Sequence, residues 1–167
     1  MSEHGPAWLR RAGTGRQPDG SLVTWSVAEG ARGRRWRWTV TDDAGLRHAG
    51  LVELDAGGFA RLELESRGGM LTLHPDRERT MAHGNVVRAE GVEPLAVPWS
   101  DGEGVAIEGD GFGSAVASWQ GRGWVVGHDL RLRRLDGAAE SAPGLALPAD
   151  DRGVPDLLDA QEWPLEA

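Results

Sequence analysis

The segment from Arg34 to Thr41 alternates large apolar and polar side chains, and this alternation is the strongest constraint on the fold. Trp36, Trp38 and Val40 lie on one face of an extended strand, and the arginines and threonines between them lie on the other. Residues 42–45 then predict a tight turn, which a second apolar run follows. The pattern therefore predicts two antiparallel strands with one buried face and one face in water.

The same pattern recurs as far as about Leu135. Short alternations of apolar and polar residues are each closed by glycine with aspartate, arginine or serine, which is typical of strands joined by tight turns. Residues 109–114 predict a turn and residues 114–120 a further strand, with no helix before residue 150. We therefore predict an all-β fold, an antiparallel β-barrel or β-roll of about nine to eleven short strands with a C-terminal extension.

The chain has 167 residues, enough for one domain with a sizeable core. Residues 1–136 are predicted to form a single barrel or roll domain. Residues 137–167 are acidic and rich in proline, glycine and alanine, and we expect them to pack on that domain as a C-terminal segment.

Composition excludes several classes of function. The absence of cysteine excludes disulfides, thiolate zinc sites and cysteine nucleophiles, and the absence of lysine excludes phosphate-binding loops that need one. The net charge of −8, concentrated in the C-terminal segment, argues against a nucleic-acid partner. No apolar run is long enough for a signal peptide or a membrane span, so the expected location is the cytoplasm. We expect no cofactor.

Arginines interleave with tryptophans between Arg32 and Trp38, a combination found in single-strand nucleic-acid binders. The alternation places the two residue types on opposite faces. We therefore expect these arginines to face water and to pair across strands with Glu53, Glu63 or Glu65.

Eight tryptophans are the compositional outlier in a chain without tyrosine. Some must fill the core, but indoles also line apolar ligand cavities and offer an N–H to a polar head group. Trp36, Trp38, Trp119 and Trp124 are the predicted lining of such a cavity.

Histidines are the candidate acid–base groups. His74 and His83 flank the one long predicted internal loop, and with Asn85 they could contribute polar contacts to the same ligand. Together with His128 they could instead supply a general base. No two histidines have the spacing that aims both at one metal ion, so we predict no metal site.

These features favour non-enzymatic binding of a small apolar or amphipathic ligand, lipid-like or glycolipid-like, in a tryptophan-lined barrel. One alternative is a hydrolase or isomerase that uses loop histidines in the barrel mouth. Another is a protein–protein interaction module or homodimer without a small ligand. The predicted architecture is similar in kind to the calycins and to bacterial glycolipid-binding β-rolls, although no motif of either aligns residue by residue.

Overall fold

The computed structural model describes residues 9–135 and 163–164, and their fold is all-β with one short helix. Eight strands come first, each paired with the next in the chain. They are β1 (Leu9–Arg16), β2 (Leu22–Gly30), β3 (Gly33–Asp42), β4 (Gly45–Asp55), β5 (Gly58–Ser66), β6 (Gly69–Pro75), β7 (Met81–Arg88) and β8 (Gly91–Pro98). The remaining elements are β9 (Gly104–Ile107), α1 (Gly111–Val116), β10 (Gly123–Val126), β11 (Leu132–Leu135) and β12 (Trp163–Pro164).

Strands β1 to β8 form one antiparallel meander in chain order, as the recurring hairpin pattern predicts. The sheet does not close, because β8 forms one edge and β1 pairs instead with the two residues of β12. The prediction of an antiparallel all-β fold is confirmed, and the sheet is open. Of the predicted C-terminal segment, only Trp163 and Pro164 lie within the described residues.

Elements β9, α1, β10 and β11 form a second layer, which we call the cover. Strands β9 and β10 pair in parallel and β11 adds to β10 antiparallel. A parallel pair needs a crossover connection, and α1 supplies it. The predictions of a strand over residues 114–120 and of no helix before residue 150 are therefore wrong. In residues 9–135, no helix is long and apolar enough to cross a membrane.

Helix α1 is only six residues long, and side chains from outside it hold its first turn. The Asp110 carboxylate accepts a hydrogen bond from the Gly113 N–H at 2.9 Å, as an N-cap residue does. The Gln17 side-chain oxygen, from the β1–β2 connection, accepts one from the Gly111 N–H at 2.8 Å. These bonds satisfy amides that a helix start leaves without partners, so α1 depends on both layers.

The core lies between the inner face of the sheet and the cover. Phe112 of α1 is its central residue, with ring centroids of Trp25, Trp36 and Trp38 at 6.3, 5.9 and 6.0 Å. Trp36 is 0% exposed and Trp38 is 2% exposed. The helix therefore fills the concave side of the sheet with an aromatic side chain.

A glycine of β4 leaves space for this aromatic packing. Gly50 of β4 is paired with Trp38 of β3, and a Cβ atom at Gly50 would lie 2.4 Å from the indole ring. Any other residue at this position would push the ring away. The space allows Trp38 to lie flat across β4 and to reach the cover.

Arg35 and Arg37 of β3 face outward, as the alternation predicts, whereas Arg34 is partly buried and pairs with Glu29. Arg35 forms an ion pair with Glu53 on β4, with 2.7 Å between Nη2 and Oε1. The expected cross-strand pairing is thus confirmed for this arginine. Exposed pairs of this kind contribute little to stability.

Candidate pocket between the sheet and the cover

A pocket of about 240 Å³ opens between the cover and two hairpin turns of the sheet, the β3–β4 turn and the β5–β6 turn. Sheet residues form one wall and cover residues form the other. The wall is mixed in polarity and consists of Asp42, Ala44, Leu46, Arg47, His48, Leu64, Ser66, Arg67, Gly68, Ile107, Glu108, Gly127, His128 and Leu130. We call this the edge pocket.

The cover contributes residues that follow its two parallel strands. Ile107 and Glu108 stand at the carboxyl end of β9, and Gly127 and His128 follow β10. In open α/β sheets, ligands bind in the crevice outside the carboxyl ends of the parallel strands. The edge pocket has this position.

A buried polar cluster lies behind the pocket wall, centred on Asp110, which is 0% exposed. Its Oδ2 atom is 2.7 Å from Trp38 Nε1 and 2.6 Å from His48 Nε2. Oδ1 accepts the Gly113 N–H described above. An ionised carboxylate satisfies all three nitrogens as donors, with the His48 proton on Nε2.

Within the described residues, no hydrogen bond reaches the other ring nitrogen of His48, Nδ1. The His48 ring is nearly buried, at 9% exposure, and forms part of the pocket wall. The ring therefore connects a buried carboxylate to a solvent-accessible pocket.

A β-bulge in β4 shapes this part of the wall. The β3–β4 pairing passes from Val40–His48 to Thr41–Leu46, so Arg47 is the extra residue. In a regular strand successive side chains point to opposite faces, and a bulge changes their direction. Leu46, Arg47 and His48 are consecutive, and all three line the pocket.

Two backbone positions in the cover have positive φ next to the pocket. Leu130 has φ 61°, a conformation that is uncommon for a non-glycine residue and costs on the order of 1–3 kcal/mol. Gly109 has φ 74°, and a Cβ atom there would lie 3.2 Å from the His128 ring and 3.3 Å from Arg47. Strained non-glycine positions such as Leu130 cluster at functional sites, whereas glycine adopts a positive φ without strain.

The two arginines of the pocket differ in their partners. Arg47 lies 2.8 Å from Asp19 and 3.7 Å from Asp42, so acidic side chains already neutralise it. Arg67 donates to the Ala44 carbonyl at 2.7 Å and has no carboxylate partner among residues 9–135. Arg67 is therefore the cation of the pocket that remains available to an anion.

Asp19 keeps Arg47 in place, and its own titration reflects the contacts around it. Hydrogen bonds from the Ser21 hydroxyl, the Arg47 guanidinium and the Ser21 N–H lower the pKa of Asp19 from 3.8 to about 2. A carboxyl group whose pKa is lower in the folded state stabilises the fold above its unfolded pKa, and this contribution disappears as the pH falls through the folded pKa.

We expect Asp19→Asn to lose less stability than the wild type between pH 5 and pH 2, because the variant has no carboxylate to protonate. Urea unfolding at each pH measures the midpoints. Asp43→Asn, at an exposed aspartate of the neighbouring turn, is the control and should follow the wild type. Equal acid sensitivity in the wild type and Asp19→Asn would contradict the prediction.

The predicted site residues Trp36 and Trp38 lie in the packed core. The prediction placed them on the wall of an open cavity, but both contact Phe112 and neither lines the edge pocket or two further pockets, of about 450 and 680 Å³. Trp38 instead contributes its N–H to the Asp110 cluster.

Trp119 and Trp124 belong to the cover, and Trp124 packs against the core cluster that contains Trp36 and Trp38. Trp124 donates from Nε1 to the Pro98 carbonyl at 3.0 Å, and the Arg134 guanidinium lies over its ring at 5.4 Å. Trp119 packs against a small separate cluster of Ala106, Val125 and Leu135.

His74 and His83 do lie side by side, as directly paired residues of β6 and β7. His83 is inside a strand, not at the end of a long loop, because β7 already begins at Met81. Both histidines and Asn85 are exposed on the outer face of the sheet, and none of them lines the three pockets. Of the histidines predicted as a base, His128 alone lies in the edge pocket.

An exposed apolar row marks the outer face near the β8 edge. Met70, Val87 and Val92 are successive cross-strand partners, and Val92 is 64% exposed. The row is the feature that an interaction module would use.

Among the described residues, no group of three or more histidine, aspartate or glutamate side chains is placed to hold a metal ion. His48, Asp110 and Arg67 are not among the site residues predicted from the sequence. No protein-family model, curated protein or solved structure matches this chain.

Proposed function

We propose that the protein binds a small amphipathic anion in the edge pocket. The observation that carries this proposal is the position of Arg67, a guanidinium without a carboxylate partner in the described chain, in the same pocket wall as several leucines and an isoleucine. A ligand with one anionic end and one apolar end matches both features.

The side chain of Arg67 is suited to bind the anionic head group of a ligand. A guanidinium presents several N–H donors in a planar fork that fits carboxylate or phosphate oxygens. One donor is used by the Ala44 carbonyl, and the side chain is otherwise exposed. A bound carboxylate would pair with Arg67 in the way that Asp19 and Asp42 pair with Arg47.

The leucines and the isoleucine of the pocket wall are suited to contact the apolar part of a ligand. Leu64, Ile107 and Leu130 are almost fully buried, and Leu46 is 49% exposed at the rim. Burial of apolar ligand surface against such side chains contributes about 25 cal/mol per Å². Leu46 is the member of this group that a ligand would cover most.

The size of the pocket narrows the ligand class. At about 240 Å³ it lies below the range of roughly 300–1,000 Å³ that drug-sized ligands occupy. A short-chain or aromatic carboxylic acid fits this volume, whereas a complete lipid or glycolipid would extend outside it. We therefore narrow the expected amphipathic ligand to a small organic acid.

A binding panel tests the proposal. We expect hexanoate, phenylacetate and 2-oxobutanoate to shift amide resonances of residues 42–48 and 64–68, and their methyl esters to shift them much less. Arg67→Gln should weaken binding of the acids about tenfold or more, since a hydrogen bond to a charged group contributes about 1.5–3 kcal/mol.

Arg77→Gln is the matched control, because Arg77 is an exposed arginine in the β6–β7 connection and lines none of the three pockets. Its affinities should equal those of the wild type. Acids that leave the resonances unchanged, or an Arg67→Gln variant that binds them normally, would show that the proposal is wrong.

A further inference from the structure

We infer that His48 is a general acid–base residue that moves a proton on the carbon next to the carbonyl of a 2-oxo acid bound in the edge pocket. This inference rests on the proposed function, because it needs a small acid in that pocket. It adds an activity, keto–enol exchange, to the binding.

The geometry of Asp110 and His48 is that of a carboxylate–imidazole pair. Their 2.6 Å contact is buried, and the carboxylate is held by two further donors, Trp38 Nε1 and the Gly113 N–H. A carboxylate fixed in this way sets the orientation and tautomer of the ring and stabilises the imidazolium that forms when Nδ1 takes a proton. Asp110 is thus a positioning residue.

A purely structural partner for Asp110 would not need to reach solvent. Trp38 and Gly113 satisfy the carboxylate from inside the core, whereas His48 also forms part of the pocket wall. The bulge at Arg47 lies next to it and turns this stretch of β4 toward the pocket. The pair is therefore placed where a bound molecule can meet it.

Arg67 determines which part of a ligand comes near His48. His48 is paired with Ser66 on β5, and Arg67 is the next residue. Both side chains line the edge pocket, so we expect a carboxylate bound at Arg67 to hold the following two carbons of the ligand near the imidazole. In a 2-oxo acid these are the carbonyl carbon and the carbon that bears the acidic protons.

The step is balanced without any further reactant. Nδ1 of His48 takes a proton from the carbon next to the carbonyl, the C–H electron pair forms a carbon–carbon double bond, and the carbonyl π pair moves onto oxygen. The negative charge develops on the oxygen adjacent to the carboxylate that Arg67 binds. Return of the proton to carbon restores the ketone, and its delivery to oxygen gives the enol.

Deuterium exchange measures this step directly. Wild-type protein and 2-oxobutanoate are mixed in D₂O at neutral pH, and the loss of the C3 proton signal is followed by NMR. We expect the protein to accelerate exchange and His48→Gln to reduce the rate constant about a hundredfold or more, the range that a general base supplies. Asp110→Asn should lower the rate of exchange but not the affinity for 2-oxobutanoate.

His74→Gln is the matched control, since His74 is an exposed strand histidine that lines none of the three pockets. Its exchange rate should equal that of the wild type. If 2-oxobutanoate binds with dependence on Arg67 but His48→Gln exchanges as fast as the wild type, the inference is wrong and the binding proposal stands. If no acid binds, both are wrong.

A second measurement covers the case in which His48→Gln does not fold. In wild-type protein with ¹⁵N-labelled histidine, 2-oxobutanoate should shift the Nδ1 resonance of His48 and leave those of His74 and His83 unchanged. An unchanged His48 resonance in protein saturated with the ligand would overturn the inference.

Discussion

Replacement of Asp110 with alanine is expected to lower the free energy of unfolding by about 3–7 kcal/mol, because it leaves the buried donors of Trp38 and His48 without an acceptor and removes the N-cap of α1. Each orphaned buried donor costs about 1–3 kcal/mol, and the lost cap costs about 1 kcal/mol more. Urea unfolding followed by circular dichroism measures the effect.

Asp43→Ala is the control for Asp110→Ala. Asp43 is an exposed turn residue, and surface substitutions of this kind usually change stability by less than about 0.5 kcal/mol. A loss at Asp110 no larger than that at Asp43 would show that the cluster does not stabilise the fold. A changed m-value would instead indicate altered compactness of the folded or unfolded state.

Trp38→Phe is expected to cost about 1.5–3 kcal/mol more than Trp36→Phe, although the two residues lie on the same face of β3 and both are buried. Both changes remove similar volume next to Phe112. Only Trp38→Phe also removes a hydrogen bond to a buried carboxylate, since Trp36 Nε1 has no partner among the described residues. The difference between the two variants therefore combines the loss of the Trp38–Asp110 bond with the removal of an unpaired buried donor at Trp36.

The two unfolding free energies are measured side by side in urea. In an Asp110→Ala background the difference should shrink, because the acceptor is gone. Equal losses in the two phenylalanine variants would mean that the bond from Trp38 contributes no net stability. A larger loss for Trp36→Phe would show that packing outweighs hydrogen bonding in this core.

The sheet could be predicted from the sequence because the patterns that specify its strands and turns lie within short segments of the chain. Alternation with a period of two places Trp36, Trp38 and Val40 on one face, and glycine turns set each hairpin, so β2 to β6 follow from short windows of sequence. The Arg35–Glu53 pair follows from the same alternation once β3 and β4 are adjacent.

Helix α1 could not be predicted in this way, because its start is stabilised from far away in the chain. Residues 109–114 have the composition of a turn, and glycine disfavours a helix. The structure supplies Gln17, 94 positions from Gly111, as the acceptor for the first amide. Tertiary contacts outweigh local propensity here, and the parallel pairing of β9 and β10 follows from the helix.

The candidate site could not be predicted for a related reason. His48 and Asp110 are 62 positions apart, and Trp38 and Asp110 are 72 apart. Nothing in a single sequence indicates that a strand histidine meets an aspartate from a glycine-rich segment. The bulge that turns Arg47 and His48 toward the same pocket could not be predicted from the sequence either, because it depends on the register between β3 and β4.

The edge pocket has one wall in the sheet and one in the cover, and this couples occupancy to the cohesion of the two layers. Separation of the layers would destroy the binding site, so a ligand favours the docked arrangement over every state in which the cover has detached. By linkage, a ligand at one hundred times its dissociation constant would add about 2.7 kcal/mol to the unfolding free energy. The bound molecule would thus act as a non-covalent clamp on a fold that has no disulfide.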